Sequence, residues 1–245
     1  MENNFGINKQ VVEKEKNAFS SEELLRNFYT KIYRTEKHDS PDDSRHSLSR
    51  RIREEIIANE INPKKVLNIG SGPQALERQL LDKSQGGEKV IQKGIEFVSI
   101  DLAQILPHKL LARKMDNVQH IRGNNVNLPF QDKAFGLIAS NHSIDLCPHE
   151  EAFKEAYRVL NDGGKGIFYF HHPSMLQVPS NDETVRIFWQ YLKENSILFA
   201  NEDEIKSFLE KIGFIVREIS LKSDKNKIDT WWEVVVEKKV NEKTI

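Results

Sequence analysis

VLNIGSGPQALERQL, residues 66–80, is the stretch on which the reading of this chain turns. Val66 to Ile69 reads as a strand, Gly70-Ser71-Gly72 as a tight turn, and Pro73 sits where a helix can begin. Glycines in such a turn permit positive φ and let backbone amides approach a ligand at the positive end of a helix dipole. Asp101 closes the next strand, where a carboxylate can accept hydrogen bonds from both hydroxyls of a ribose. Glycines between a strand and a helix are common punctuation; with Asp101 they point to a nucleoside-containing cofactor at the carboxyl edge of a parallel sheet.

Outward from this segment the pattern repeats. Strands are expected at Val66 to Ile69, Phe97 to Asp101, Val118 to Arg122, Leu137 to Ser140 and Gly166 to Phe170, separated by amphipathic helices. Such alternation predicts an α/β fold, a parallel sheet with helices on both faces. Phe153, Ala156, Tyr157 and Leu160 mark a helix opened by Pro148 and closed by Gly163 and Gly164. Between Asp101 and Val118 the helical pattern is interrupted by Pro107. An insertion over 173–200 is expected to be helical where Val185, Phe188, Trp189 and Leu192 align. Asn201 then caps a helix carrying Ile205, Phe208, Leu209 and Ile212, with Gly213 beyond its end. Two last strands, Phe214 to Leu221 and Trp231 to Glu237, are joined by KSDKNKID, too short for a crossover helix, so they should be antiparallel.

Upstream, residues 1–62 read as helical, with no convincing strand. Ser20 and Glu23 match a capping box ahead of Leu24, Leu25, Phe28 and Ile32; after HDSPDDS, Leu48, Ile52 and Ile56 recur until Asn62 and Pro63. This gives an N-terminal helical cap, 1–62, and a core, 63–245, carrying an insertion placed as a lid. At 245 residues that division suits one α/β domain with an extension. Basic and acidic side chains, 36 and 37, leave a net charge of -1, which argues against attachment to nucleic acid or membrane by bulk charge. A single cysteine excludes an intrachain disulfide framework, and the chain shows no membrane-length apolar run or signal peptide, so a soluble cytoplasmic protein is expected.

Gly70, Gly72 and Ala75 also satisfy the G-x-G-x-x-G/A dinucleotide fingerprint, which keeps a nicotinamide-dependent dehydrogenase in view. Yet Asp101 lies 31 residues beyond Gly70 (101 − 70), later than the usual offset of about 20. The insertion DKSQGGEKVIQKG can account for that delay, but an antiparallel end to the sheet fits a dehydrogenase poorly.

In order, VLNIGSG, VSIDLA, RGNNVNLPFQDKAFGLIASNHSID and YRVLNDGGKGIFYF resemble the motifs of the class I S-adenosylmethionine-dependent methyltransferases, especially those acting on small molecules. The resemblance runs from about Val66 to Lys239. It implies a three-layer Rossmann-like fold, with a mostly parallel seven-stranded sheet and an antiparallel last strand, and S-adenosyl-L-methionine as cofactor. It further implies that Asn68, Gly70, Ser71 and Gly72 belong to the cofactor site, the turn facing the methionine part. Asp101 would hold the ribose with Leu102 beside the adenine, Asn124 and Asn125 would stand where the adenine is contacted, and Asn141 would lie near the methyl-transfer site. The sequence departs from the family where Asn68 replaces an acid, Gln74 a glycine, Gly136 an acid and Asn124 a common aspartate. Asn68 and Asn124 keep hydrogen-bonding capacity but lose charge.

Methyl transfer from a sulfonium is an in-line displacement that needs alignment, water exclusion and, for a hydroxyl or amine acceptor, removal of a proton. His142 follows the fourth strand and His171 and His172 the fifth; His142 is the first candidate for the base and His171 the second. Loop histidines also commonly cap backbone groups or face solvent. The set His142, Asp145, Cys147, His149, His171 and His172 fits no zinc template, so no metal is expected. Cys147 reads as a small buried hydrophobe. Arg45, His46, Arg50, Arg51 and Arg53 form a basic cluster, either the solvated face of a helix or a source of one arginine for a carboxylate of cofactor or substrate. The leading function is methyl transfer to a small molecule, with an anionic one suited to these arginines. The alternatives are a degenerate methyltransferase fold that binds without turnover and an RNA methyltransferase, which lacks an aromatic nucleic-acid platform.

Overall fold

The structure, a computed structural model, describes residues 23, 26, 44–72, 74–102, 117–146, 149–174, 186, 189–190, 192–194, 196–223 and 230–240. The capping box at Ser20, the first expected helix, the Asp101-to-Val118 crossover, Cys147, and most of the insertion's helix lie outside these residues.

Seven strands form one sheet in the order β3-β2-β1-β4-β5-β7-β6. They are β1 (Lys65–Ile69), β2 (Glu96–Asp101), β3 (Val118–Arg122), β4 (Phe135–Asn141), β5 (Leu160–His171), β6 (Phe214–Ser223) and β7 (Thr230–Lys238). Strands β1 to β5 pair in parallel, while β7 runs antiparallel to both β5 and β6. The helices are α1 (Ser44–Ala58), α2 (Ala75–Leu81), α3 (Gly87–Gln92), α4 (His149–Val159) and α5 (Glu202–Ile212). No helix among the described residues is long and apolar enough to cross a membrane.

Two cores follow from the alternation of side chains along each strand. On one face Leu67, Ile100, Ile138, Phe168, Phe170 and Val234 meet Phe153 and Ala156 of α4 and Ile205 and Leu209 of α5. On the other, Val66, Phe97, Leu137, Ile167 and Tyr169 meet Leu76 and Leu80 of α2, Val90 of α3, and Leu48, Ile52 and Ile56 of α1. The three α1 residues are completely buried. The helix read from sequence as part of the cap is therefore packed into one of the two outer layers. Ile167, Phe168, Tyr169 and Phe170 have no exposed surface, as a strand covered on both faces requires.

The Asn201 side chain accepts from the Glu204 amide to open α5, and Gly213 at φ 118 closes it. Helix α4 ends differently from the glycine stop expected at Gly163 and Gly164. It passes directly into β5 at Leu160, and the register with β4 jumps from Phe135↔Leu160 to Leu137↔Lys165. Residues 161–164 are thus absorbed as a bulge, with Gly163 at φ 74. Lys238 supplies the stop: its ammonium donates to the carbonyls of Tyr157, Arg158 and Leu160 at 2.7, 3.3 and 2.8 Å. Carbonyls at a helix end have no partner within the helix, so a cation arriving from β7 satisfies them.

Gly136 has a packing reason as well. A Cβ there would lie 2.5 Å from the Pro63 carbonyl oxygen and 2.8 Å from the Asn62 nitrogen. The chain entering β1 crosses directly over β4, so a side chain at this position displaces backbone. Gly136→Asp, which restores the family's usual acid, should destabilise the protein by roughly 2 kcal/mol or more. Urea unfolding of the variant and the parent measures this, and equal stability would contradict the close crossing.

Candidate active site

Above β1 the turn is tied to the end of β2. The amides of Gly70 and Ser71 both donate to the Ile100 carbonyl, at 2.8 and 3.1 Å, and the Gly72 amide donates to Asp101 Oδ2 at 2.7 Å. The amides expected to approach a ligand are thereby engaged by the neighbouring strand. Gly70, at φ 70, is required for another close approach: a Cβ there would overlap the Ser143 side chain. Gln74, where the family has glycine, keeps a left-handed backbone at φ 59 as the N-cap of α2. That conformation is uncommon outside glycine and persists where its surroundings enforce it.

One layer below, Asn68 and Ser99 are register partners on β1 and β2. Both turn to Glu77 of α2: Asn68 Nδ2 and Ser99 Oγ donate to Glu77 Oε1 at 2.7 and 2.5 Å. Glu77 has no exposed surface, and its Oε2 has no hydrogen-bond partner among the described residues. Burial pushes this carboxyl up, against the lowering by Ser99, Asn68, its own backbone and Arg78. Asn68 therefore sits beneath the sheet edge, fixing a carboxylate supplied from α2 where the family carries its own acid on β1.

At the β2–β3 end, Asp101 is buried at 6% exposure and Leu102 follows it, partly exposed. The Gly123 amide donates to the Asp101 carbonyl at 3.0 Å, bringing the turn with Asn124 and Asn125 beside it. Asn124 Oδ1 accepts the Val126 amide at 3.2 Å, which shapes that turn. The following loop is held from α4. Arg158 donates to the carbonyls of Leu128 and Phe130 and to the carboxylates of Asp132 and Glu155, and Glu155 accepts the Leu128 amide.

At the β4–β5 end the candidate bases come together. Asn141 is the last residue of β4, and its buried Oδ1 has no partner among the described residues. His142 follows at φ 51, its amide donating to the Tyr169 carbonyl at 2.9 Å and its Nε2 lying 3.1 Å from Ser44 Oγ of α1. Ser140 Oγ accepts the Ile144 amide at 3.1 Å, which folds the loop back and directs Asp145 at β5. Asp145 Oδ2 accepts the backbone amide of His171 at 2.7 Å and contacts the Nδ1 of the same residue at 2.8 Å. The rings of His142 and His171 lie 4.6 Å apart, and Trp189 stands edge-on to His171 at 6.4 Å. Burial pushes the Asp145 carboxyl up, but His171, His142 and the His171 amide outweigh it and hold the group below its ordinary value. His172, by contrast, contacts Ser174 Oγ at 2.8 Å, away from this pair.

Asp145 is the residue whose role the sequence alone does not disclose, since its neighbours there suggest only a metal set. Its spacing of three from His142 carries no sign of a partnership with a strand 26 residues further on. Ser44 and Glu77 likewise leave no mark, since each acts across the fold. The basic cluster is largely structural: Arg51 makes two hydrogen bonds to Glu218 at 2.7 and 2.6 Å, and Arg53 donates to the Gln79 carbonyl at 2.6 Å. Tyr169 donates to Glu233 at 2.7 Å and lies 3.1 Å from Ser47 Oγ; burial holds its phenol above the ordinary value, so it remains a donor.

A sheet ordered 3-2-1-4-5-7-6 with β7 reversed, carrying a glycine turn and an acid on adjacent strand ends, is the Rossmann-like methyltransferase fold. Residues 67–168 match the family model described as a methyltransferase domain, and the chain is similar to the class I S-adenosylmethionine-dependent methyltransferases. This displaces the dehydrogenase alternative. Among relatives, it is 26% identical to a demethylmenaquinone methyltransferase of Geobacillus sp. (strain WCH70) over 226 residues, covering 82% of this chain and 92% of that one. It is also 26% identical over 170 residues to a ubiquinone/menaquinone biosynthesis C-methyltransferase, UbiE, of Legionella pneumophila, covering 61% of this chain and 66% of the relative. Among solved structures, the 1,6-didemethyltoxoflavin-N1-methyltransferase of Burkholderia thailandensis, with bound 1,6-didemethyltoxoflavin and S-adenosylhomocysteine, superposes with a TM-score of 0.62. That likeness covers 88% of each chain at 13% identity and concerns the fold.

The Glu77 geometry gives a pH test. A carboxyl raised by folding binds its proton more tightly in the native state, so stability falls as pH rises above the unfolded group's value. Glu77→Gln keeps an acceptor for Asn68 and Ser99 and removes the titration. Its stability relative to the parent should therefore improve between pH 5 and pH 8. The gain is about 1.4 kcal/mol for every tenfold by which folding tightens the carboxyl's hold on its proton. Urea unfolding at the two pH values reads the sign, and a difference that does not change with pH would show that Glu77 is not perturbed.

Proposed function

We propose that the protein binds S-adenosyl-L-methionine along the carboxyl edge and methylates a small molecule at an oxygen, nitrogen or carbon atom, the His142–His171 pair taking the proton where the acceptor is a hydroxyl or amine. The observation that carries this reading is the convergence of Asp101, Asn141, His142 and His171 on one edge, with the glycine turn between them. The donor set suits the cofactor. Ser71 Oγ and Asn141 Oδ1 are buried without partners among the described residues, and polar groups left so are completed by a ligand with its own donors and acceptors. Asp101 offers a carboxylate for ribose hydroxyls, and the Asn124–Asn125 turn stands beside it for the adenine.

The bound cofactor supplies an electrophilic methyl carbon on a sulfonium. On transfer to a hydroxyl or amine, the acceptor's proton would pass to an imidazole nitrogen of this pair. His142 and His171 are the groups placed to receive it; Trp189 and the buried β5 help keep water away. The relatives' names, a demethylmenaquinone methyltransferase and a 1,6-didemethyltoxoflavin methyltransferase, support a small-molecule acceptor. We assign its selection to residues 20–60 and to the 173–200 insertion, because Ser44 contacts His142 and Trp189 stands against His171. A cytoplasmic setting rests on the single cysteine. The degenerate reading loses support: Gly136 answers to packing and Asn68 is coupled to Glu77.

Calorimetry with S-adenosylmethionine should show binding, and NADH none. Asp101→Ala should weaken the former about tenfold or more, the loss of a charge-assisted hydrogen bond. A panel of small hydroxyl and amine compounds, followed by release of S-adenosylhomocysteine, should identify an acceptor. Absence of S-adenosylmethionine binding at any pH or salt concentration defeats this function.

A further inference from the structure

We propose that Asp145 is the positioning residue of the site, holding His171 in the Nδ1–H tautomer so that its Nε2 is the proton acceptor in methyl transfer. This rests on the function proposed above and assigns the base within it. A carboxylate only accepts hydrogen bonds, so an imidazole nitrogen 2.8 Å from Asp145 Oδ2 must carry the hydrogen. In the neutral ring the lone pair is then on Nε2, across the ring from Asp145. The same oxygen takes the His171 backbone amide at 2.7 Å, so side chain and main chain of one residue are gripped together. Asp145 is itself only 1% exposed, which keeps water from competing for those bonds.

His142 differs in each respect. Its Nε2 lies against a serine hydroxyl, which can serve as donor or acceptor and so selects no tautomer. Its backbone is left-handed, and the hydrogen bond that its amide makes goes to a carbonyl of β5. The order of the two candidate bases read from sequence is thereby reversed. The titratable groups that face His171 are Asp145 and His142, both from the end of β4 and the loop beyond it. From β7 it meets Trp231 as its register partner, and from the insertion Trp189. When Nε2 accepts the acceptor's proton, the resulting imidazolium stands beside the Asp145 carboxylate, which stabilises it.

The test compares the whole protein with Asp145→Asn and Asp145→Glu. Nitrogen-15 NMR of the histidine side chains should show His171 with a protonated Nδ1 and an unprotonated Nε2 in the parent. In Asp145→Asn that tautomer should lose its dominance, because an amide can donate as well as accept and no longer demands a hydrogen on Nδ1. With the acceptor found by the panel, kcat at pH 7 should fall about a hundredfold or more, with the acid limb of its pH profile displaced to lower pH. KM for S-adenosylmethionine should stay within about twofold, and Asp145→Glu should recover part of kcat. An Nε2–H tautomer in the parent overturns the assignment, as does an Asp145→Asn variant with the parent's tautomer and pH profile. Should either variant fail to fold, the parent's tautomer alone still decides. Calorimetry with S-adenosylmethionine separates the two levels: its failure defeats the function, whereas a wrong tautomer with intact binding defeats only the role of Asp145.

Discussion

The fold's functional edge depends on one junction, the three amides of Gly70, Ser71 and Gly72 bound to the end of β2. A sharp turn with left-handed residues at Gly70, Gly72 and Gln74 has few conformations it can hold without outside partners. The Ile100 carbonyl and the Asp101 carboxylate supply them, so the turn and the end of β2 form one unit. Asp101 is consequently a brace, and the path from β1 into α2 is set before any ligand arrives. Such preorganisation lowers the cost of ordering a site around a small molecule.

Beneath the turn lies a rearranged polar core. The acid usual on β1 is an amide here, and the carboxylate comes from the first turn of α2. Three side chains on three elements thus join strand, strand and helix under the site. A buried network of this kind is stabilising only when its members are bonded, and Glu77 is bonded through one oxygen. The fold tolerates a costly group there, directly below the turn it supports.

Much of the architecture was readable in the chain. Most strands carry short apolar runs rich in β-branched or aromatic residues, and the Asn201 and Gly213 signals name both ends of α5. Those are local features, set by periodicity and by backbone chemistry within a few residues. The glycine turn and Asp101 were readable for the same reason, because the end of a strand is visible in sequence. What escaped was settled by contacts between distant segments. Lys238 replaced Gly163 as the stop of α4 because a cation from β7 reached its carbonyls. Gly136 is glycine because residues 62–63 cross it. Asp145 faces His171 only once β4 and β5 are neighbours, and the arginines of α1 found partners on β6 and α2 that no spacing rule foretells.

Helix α1 meets the imidazole pair through its first residue, Ser44, while its middle is anchored by fully buried Leu48, Ile52 and Ile56. Helix ends open at lower free energy than the packed turns behind them. The Ser44 contact to His142 therefore lasts only as long as the first turn of α1 stays wound, while the His142 amide stays bonded to the Tyr169 carbonyl. His171 is held instead by Asp145, from the loop beyond β4. Fraying of that helix end consequently releases the Ser44 contact and leaves the Asp145–His171 pair in place.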